Sequence, residues 1–415
     1  MNSDDNRLPE LLAPAGNPEK LKIAWHYGAD AVYLGFTEFS LRAMGRNFDA
    51  ETLATAIRDA RRTGKRVYVT ANVIAHNRNL QPLKEHFQLL AELRPHGVIV
   101  SDPGVFDLLA ETAPELERHI STQANITNAA GARFWQRLGA HRLILARELT
   151  LDEIRDIRAA IDIDLECFVH GSICISYSGK CYMSTYMTGK SANAGDCTNS
   201  CRWKYDLVEE KRPGQYFPVM EDEHGAYLMN SKDLCLIQHL DKLMDAGVNS
   251  FKIEGRMKGI HYLASVIHTY RQAIDSLHQR PYRVDPSWLR ELMRIPNRGY
   301  TTGEIITNKE FDTYYGNTER VVHHGFVLIG TVLDVDANRA MVALRNSVSG
   351  GDEILYLSPG LEELPIQIST IHDESGRVVD RAGNNTIIHI ECPAGVRPGD
   401  VIRRNAPAPA LAPQA

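Results

Sequence analysis

Apolar residues in this chain gather in short, β-branched runs, separated by longer stretches where they recur every three or four positions. The runs are Leu11–Ala13, Ala31–Gly35, Val67–Asn72, Val98–Asp102, His119–Gln123, Arg142–Arg147, Leu165–His170 and Phe251–Gly255. Compact apolar runs mark strands buried on both faces, and the 3.6-residue period between them marks amphipathic helices. Helix boundaries are signalled as well. Asn17-Pro18-Glu19 offers an N-cap, a proline at the first helical position and an acid in the first turn, and Gly28 follows where the chain must leave the helix. Asp49 precedes a helix with Leu53, Ala56, Ile57 and Ala60 on one face and Gly64 at its end, and Thr150 with Glu153 forms a capping box. Strands alternating with helices pair in parallel through right-handed crossovers, and eight such units close as a (β/α)8, TIM-like barrel, here over residues 8–280. An open, doubly wound sheet would instead want a glycine-rich phosphate loop after its first strand, and Ala13-Pro14-Ala15-Gly16 is not one.

Two regions break this rhythm. Residues 171–231 form a cysteine-rich insert after strand seven, far longer than an ordinary crossover loop, with an expected hairpin of Lys204–Glu210 against Tyr216–Glu221. Ser231 is placed to cap a following helix, Lys232–Ala246, and a further helix is expected over Met257–Leu277. After a helical linker at 281–324 the pattern turns all-β over 325–405: Phe326–Val335, Ala340–Arg345, Glu353–Leu357, Ile366–Ile371, Thr386–Glu391 and Asp400–Arg403. These predict a small antiparallel β-barrel domain. The alanine- and proline-rich tail, 406–415, is expected to be disordered.

Composition narrows the function classes. Of 415 residues, none forms an apolar run long enough for a membrane span, and the polar start lacks the features of a signal peptide, so a cytoplasmic location and no membrane partner are expected. The formal charge of −6 argues against a generally basic nucleic-acid binder, although a local basic surface is compatible with it. Between Lys180 and Lys258 the two signs roughly balance, so composition gives no support for an RNA partner.

Cysteine usage is the strongest chemical signal. Of seven cysteines, Cys174, Cys181, Cys197, Cys201 and Cys235 cluster in one part of the chain, while Cys167 lies in strand seven and Cys392 in the distal domain. An odd count without a secretion signal speaks against a disulfide framework. Thiolates at several sequence distances can surround an iron–sulfur cluster or a tetrahedral zinc. Only Cys197-x3-Cys201 has the pair spacing usual for zinc, and the wide Cys174–Cys181 spacing suits a cluster better; reduced, buried thiols are the bland alternative.

In such a barrel, chemistry belongs at the C-terminal ends of the strands. Those ends carry Asn72, Ser101-Asp102, Gln123 and Asn125, Arg147-Glu148, His170, and Glu254 with Arg256, and the cysteine insert leaves the same mouth. Individually each has an ordinary reading, Asn72 as a helix cap or Arg147–Glu148 as a solvated pair. Six strand ends agreeing is what singles out the set.

The segments ECFVHGSIC (166–174) and GKCYMS (179–184), with ELLAPAG (10–16) and GADAVY (28–33), resemble the U32, or collagenase-like, peptidase family. Within it, GDCTNSCRWKY (195–205), NSKDLC (230–235) and SFKIEGRMK (250–258) resemble the branch that modifies transfer RNA; the likeness runs from about Pro9 to Arg404. The resemblance implies a barrel with an appended β domain, a 4Fe–4S cluster, and oxygen-independent hydroxylation: of a wobble uridine to 5-hydroxyuridine with prephenate as hydroxyl donor, of a ribosomal RNA cytidine, or of a quinone precursor. It implies Cys174, Cys181, Cys197 and Cys235 as ligands, with Cys201 the alternative fourth. His170, Asp102 and Glu254 become candidates for proton transfer. Asn72, Gln123, Asn125, Arg147, Arg256 and Lys258, with Lys252, become candidates for holding substrate, whether transfer RNA or a small carboxylate. Tyr177, Tyr182 and Trp203 could receive a flipped base or pack around the cluster. A protein partner subunit is a further expectation. The peptidase alternative has no H-E-x-x-H motif and no G-x-S-x-G elbow behind it.

Overall fold

The computed structural model describes residues 7–36, 48–174, 176–202, 220–222, 225–227, 231–307, 325–363 and 365–406. The eight expected strands are β1 (Glu10–Ala15), β2 (Ala31–Gly35), β3 (Arg66–Thr70), β4 (Gly97–Val100), β5 (Glu117–Ile120), β6 (Arg142–Ile144), β7 (Asp164–Ser172) and β8 (Ser250–Ile253). Each pairs in parallel with the next, and β8 pairs with both β7 and β1, so the sheet closes on itself. Around it run α1 (Pro18–His26), α2 (Ala50–Arg62), α3 (Asn77–Leu93), α4 (Pro103–Thr112), α5 (Ala129–Arg137) and α6 (Leu151–Ala160).

The caps form as their residue types dictate. Asn17 accepts from the amide of Lys20, Asp49 from that of Thr52, and Thr150 and Glu153 cap each other reciprocally. Asp102, expected at the mouth as a proton-transfer group, is also a cap: its Oδ1 accepts from the amides of Gly104 and Val105 at the start of α4.

The chain departs from expectation after the insert. No helix starts at Lys232. Instead Asp233–Cys235 forms a short strand antiparallel to the overhanging end of β7, with Cys235 opposite His170, and helical structure resumes only at Ile237–His239 and α7 (Leu240–Asp245). β7 outruns its neighbours and leaves unpaired backbone groups at His170–Ser172; satisfying them outweighs local helix preference. Ser231, the expected cap, donates its Oγ to the carbonyl of Ile173. The helix expected over 257–277 is α8 (Ile260–Asp275) with a final 3-10 turn. Of the expected hairpin in the insert only Met220 and Glu221 are described, and the strand they belong to, Met220–Asp222, pairs with Gly225–Tyr227, which was not expected; the remainder, like Trp203, lies outside the described residues, as do 308–324 of the linker and 407–415 of the tail.

The distal domain is an eight-stranded antiparallel sheet with a core of its own. Ile366 on one edge strand and Val379 on the other pack against that same core, so the sheet curls round it. The expected strand at 366–371 divides into Pro365–Gln367 and Ile371–Asp373, which occupy different places in the ladder.

The two domains are joined by buried polar contacts. Tyr27, at the end of α1, donates its hydroxyl to the carbonyl of Leu357 at 2.6 Å and accepts from the amide of Val401 at 2.9 Å. Arg403 is 1% exposed, pairs with Glu291 and Glu363 at 2.6 Å each, and lies 3.8 Å from the ring centre of Phe326. Breaking a buried ion pair from one side strands the other charges. Arg403→Ala is therefore expected to destabilise the protein by about 3–5 kcal/mol, read from the urea midpoint, and Glu363→Gln by clearly less.

Candidate active site at the barrel mouth

The interior of the barrel is charged. Arg142, at the start of β6, donates to Glu10 of β1 at 2.6 Å, to Glu166 of β7 at 3.1 Å and to Asp164 at 2.9 Å. Tyr68 and Arg66 of β3 also reach Glu10, at 2.9 and 3.1 Å. Glu166, wholly buried, holds Lys252 of β8 at 2.7 Å with its other oxygen. Burial pushes the Glu166 carboxyl up, but the charges of Lys252 and Arg142 outweigh it and hold the group below the usual carboxylate range. The ammonium of Lys252 sits 4.5 Å from the ring centre of Tyr33. Lys252, a candidate for holding substrate, thus faces into the barrel, and its partner Glu166 was not among the expected site residues. An acid and a base alone in two adjacent apolar strands were the available signal.

Above this network a cavity of about 790 Å³ opens at the C-terminal ends of the strands. Asn72, Gln123, Arg147, Glu254, Arg256 and Lys258 all line it, as does Lys252. Asn72 and Gln123 sit just past their strands rather than within them, Gln123 in a one-turn 3-10 helix. Asn72 donates to Ser121 Oγ at 3.4 Å; Gln123 Oε1 is buried with no partner among the described residues. Arg147 donates to the Ser172 carbonyl and lies 4.0 Å from the Phe168 ring centre. Arg256, 4% exposed, reaches Thr70 Oγ1 at 3.4 Å, and the Tyr33 hydroxyl is shared between the Ile253 carbonyl at 3.0 Å and Glu254 Oε2 at 3.3 Å. Glu148 is taken up by Ser178, which donates to it through both amide and hydroxyl. Basic side chains outnumber acidic ones on the lining, so the mouth suits an anion.

Close backbone approaches fix this mouth. A Cβ on Gly16 would lie 2.3 Å from the Arg256 carbonyl oxygen. At Gly171, where φ is +109°, it would lie 2.5 Å from that of Glu254. Only glycine fits either place.

Three expected residues stand apart. Asp102 caps α4, and Asn125 adopts a left-handed conformation outside the lining with its buried Oδ1 unpartnered among the described residues. His170 is turned out of the barrel, because the register of β7 on β8 steps from Phe168 to His170 opposite consecutive residues of β8. It lies among Tyr262, Tyr270 and Tyr300, its Nδ1 3.4 Å from the Tyr270 hydroxyl. Burial lowers its pKa to about 3, so at neutral pH it is a neutral core histidine.

The cysteines divide in the same way. Cys174, Cys181, Cys197 and Cys201 line the cavity. Cys235 lies behind the end of β7, where Tyr270 donates to its Sγ at 3.8 Å and burial pushes its thiol up to about 11. Four soft thiol donors on one cavity fit an iron–sulfur centre by the chemistry of the set. Among the described residues, no three His, Cys, Asp or Glu side chains yet stand close enough to share one metal position.

Buried neutral histidines and Glu166 make stability depend on pH with one sign. His86 and His261 are lowered to about 4 by burial, and His170 to about 3. Each would take up a proton near pH 6.5 in the unfolded chain but not in the folded one, so stability is lost as pH falls from about 6.5. Glu166 adds its loss only below about 4.3. In urea titrations against pH, His170→Phe is expected to flatten the upper limb, and Glu166→Gln to leave that limb intact while lowering stability above it.

Comparison with known proteins places this architecture. A Bacillus subtilis protein named tRNA hydroxylation protein P1 is 38% identical over 404 residues, covering 96% of this chain and 95% of that one. An Escherichia coli 23S rRNA 5-hydroxycytidine synthase is 38% identical over 277 residues, 67% of this chain and 41% of its own length. A Porphyromonas gingivalis protein named collagenase is 30% identical over 419 residues, 95% of this chain and 97% of that one. No helix among the described residues is long and apolar enough to cross a membrane. Residues 16–313 match the model of peptidase family U32 and residues 324–403 that of the peptidase family U32 C-terminal domain, and the chain belongs to this family.

Proposed function

We propose that this protein hydroxylates transfer RNA, converting a wobble uridine to 5-hydroxyuridine without molecular oxygen, with an iron–sulfur cluster at the barrel mouth and prephenate as the hydroxyl donor. The observation that carries the reading is a cation-rich cavity lined jointly by the strand-end polar residues and four cysteines, in a chain akin along nearly its whole length to a tRNA hydroxylation protein. Replacing the C5 hydrogen by hydroxyl is a two-electron oxidation, balanced when the donor exchanges its C–OH bond for C–H; an iron–sulfur cluster would supply one-electron chemistry for that exchange when bound. Cys174, Cys181 and Cys197 would hold it. For the fourth position, cavity placement supports Cys201 and the family resemblance supports Cys235.

The remaining residues bind and orient. Lys252, paired with Glu166 at the floor of the mouth, and Arg256 and Arg147 on its walls, receive the carboxylates of the donor. Glu254, oriented by the Tyr33 hydroxyl, is the carboxylate placed to accept the proton that leaves the base. A uridine reaches this depth only by leaving its stack, as in other base-modifying enzymes. The phosphates that follow it meet Lys258 and Lys190 at the lining.

The peptidase alternative draws on the collagenase relative. Several serines line the cavity, yet among the described residues no histidine lines it with them, so a serine–histidine pair has no counterpart there.

Nucleoside mass spectrometry of transfer RNA from a deletion strain should show 5-hydroxyuridine and its derivatives missing, restored by the native chain and not by Cys181→Ala. An unchanged pool, with no redundant homologue present, would overturn the assignment. Iron and sulfide content of anaerobically purified Cys201→Ala and Cys235→Ala separates the two fourth ligands, since only loss of the true ligand depletes the cluster.

A further inference from the structure

The insert beside the cavity carries aromatic rings that the fold leaves in water. Tyr177 is 55%, Tyr182 81% and Tyr186 86% exposed, against an aromatic complement that is otherwise largely buried. Tyr182 and Tyr186 therefore do not pack around the cysteines. Their sequence neighbours do face inward: Ser176, Ser178, Cys181, Ser184 and Lys190 line the cavity. The backbone of this stretch thus forms the cavity rim, with serine hydroxyls and the Cys181 thiol turned in, the tyrosines turned out and the exposed Lys190 at the edge. Tyr182 and Tyr186 are successive residues on one helical face, since the amide of Tyr186 donates to the carbonyl of Tyr182.

Charge on this rim departs from that of the chain. The whole protein carries −6, yet residues 172–195 contain Lys180 and Lys190 and no acid at all. Exposed aromatic rings flanked by lysines, beside a cation-lined cavity, match what unpaired nucleotides require: ring faces for stacking and cations for the backbone. A protein partner would want a contiguous apolar patch, whereas Tyr182 and Tyr186, with the exposed Met187, are flanked in the chain by the exposed Lys180 and Lys190.

We propose that the rim of the insert, through Tyr177, Tyr182 and Tyr186 with Lys180 and Lys190, is a stacking platform for the unpaired bases that flank the target nucleotide in an RNA loop. This rests on the RNA reading given above and adds how the loop is held while one base enters the mouth. The platform recognises single-stranded character rather than sequence, because every base has a face to stack.

The test is fluorescence anisotropy of a labelled anticodon stem–loop and of a duplex of equal length, each titrated with the full chain. The expected result is that Tyr182→Ala with Tyr186→Ala weakens stem–loop binding about tenfold or more while duplex binding and melting temperature stay put. The corresponding Phe pair keeps stem–loop affinity, and Lys180→Ala with Lys190→Ala shallows its salt dependence. If the native chain binds the stem–loop and the Ala pair binds it equally well, the platform is overturned while the RNA reading stands. If the native chain shows no preference for the stem–loop over the duplex, both fall. A change in sedimentation coefficient in the Ala pair, without a change in RNA binding, would make this face a subunit contact and overturn the proposal.

Discussion

Inside the barrel, where other barrels stack aliphatic side chains in layers, five strands are tied by one buried ionic network. Glu10, Arg66, Tyr68, Arg142, Glu166 and Lys252 join β1, β3, β6, β7 and β8 around two carboxylates. Charges taken out of water are costly unless each meets a partner, so the arrangement is stable only when all five strands hold one register. A one-residue slip in any strand would turn its charged member out of the barrel. That requirement also sets the floor of the cavity, because Lys252 can present its ammonium upward only while Glu166 balances it from below.

Much of this was legible in the chain. The eight strands fall where apolar runs predict, and Asn17, Asp49 and Thr150 cap helices as side chains with a short acceptor must. The convergence of polar strand ends was also visible, since Asn72, Gln123, Arg147, Glu254, Arg256 and Lys258 share the cavity. What escaped was decided by tertiary contacts. His170 looked like a mouth residue by counting along β7, but the register step against β8 turns it into a pocket of tyrosines. Asp233–Cys235 reads as the start of a helix, and the overhang of β7 recruits it as a strand. Asp102 has one function that local sequence could have supplied, because Asp followed by proline is itself a capping signal.

The cysteine insert separates two kinds of information. Spacing shows that thiols cluster in sequence, and the cavity shows which of them share a space. Cys235 is close in the chain to the other four yet is buried off that cavity, on the strand beside β7, where Tyr270 donates to its Sγ. Sequence proximity cannot report which face of a strand a side chain takes, which is why spacing could not show that Cys235 turns away from the cavity the other four line.

Tyr27 gives the domain boundary an unusual form. Leu357 and Val401 face each other at the end of their ladder in the distal sheet, and the Tyr27 hydroxyl bonds to the carbonyl of one and the amide of the other. A side chain from a barrel helix thus serves as an additional rung of another domain's sheet. The border that is plain in the sequence near residue 324 is therefore not a border in the hydrogen-bond pattern. The distal sheet, exchanged for that of a relative, would bring a ladder whose last rung is missing unless α1 travelled with it, so the two units are expected to be inherited as a pair.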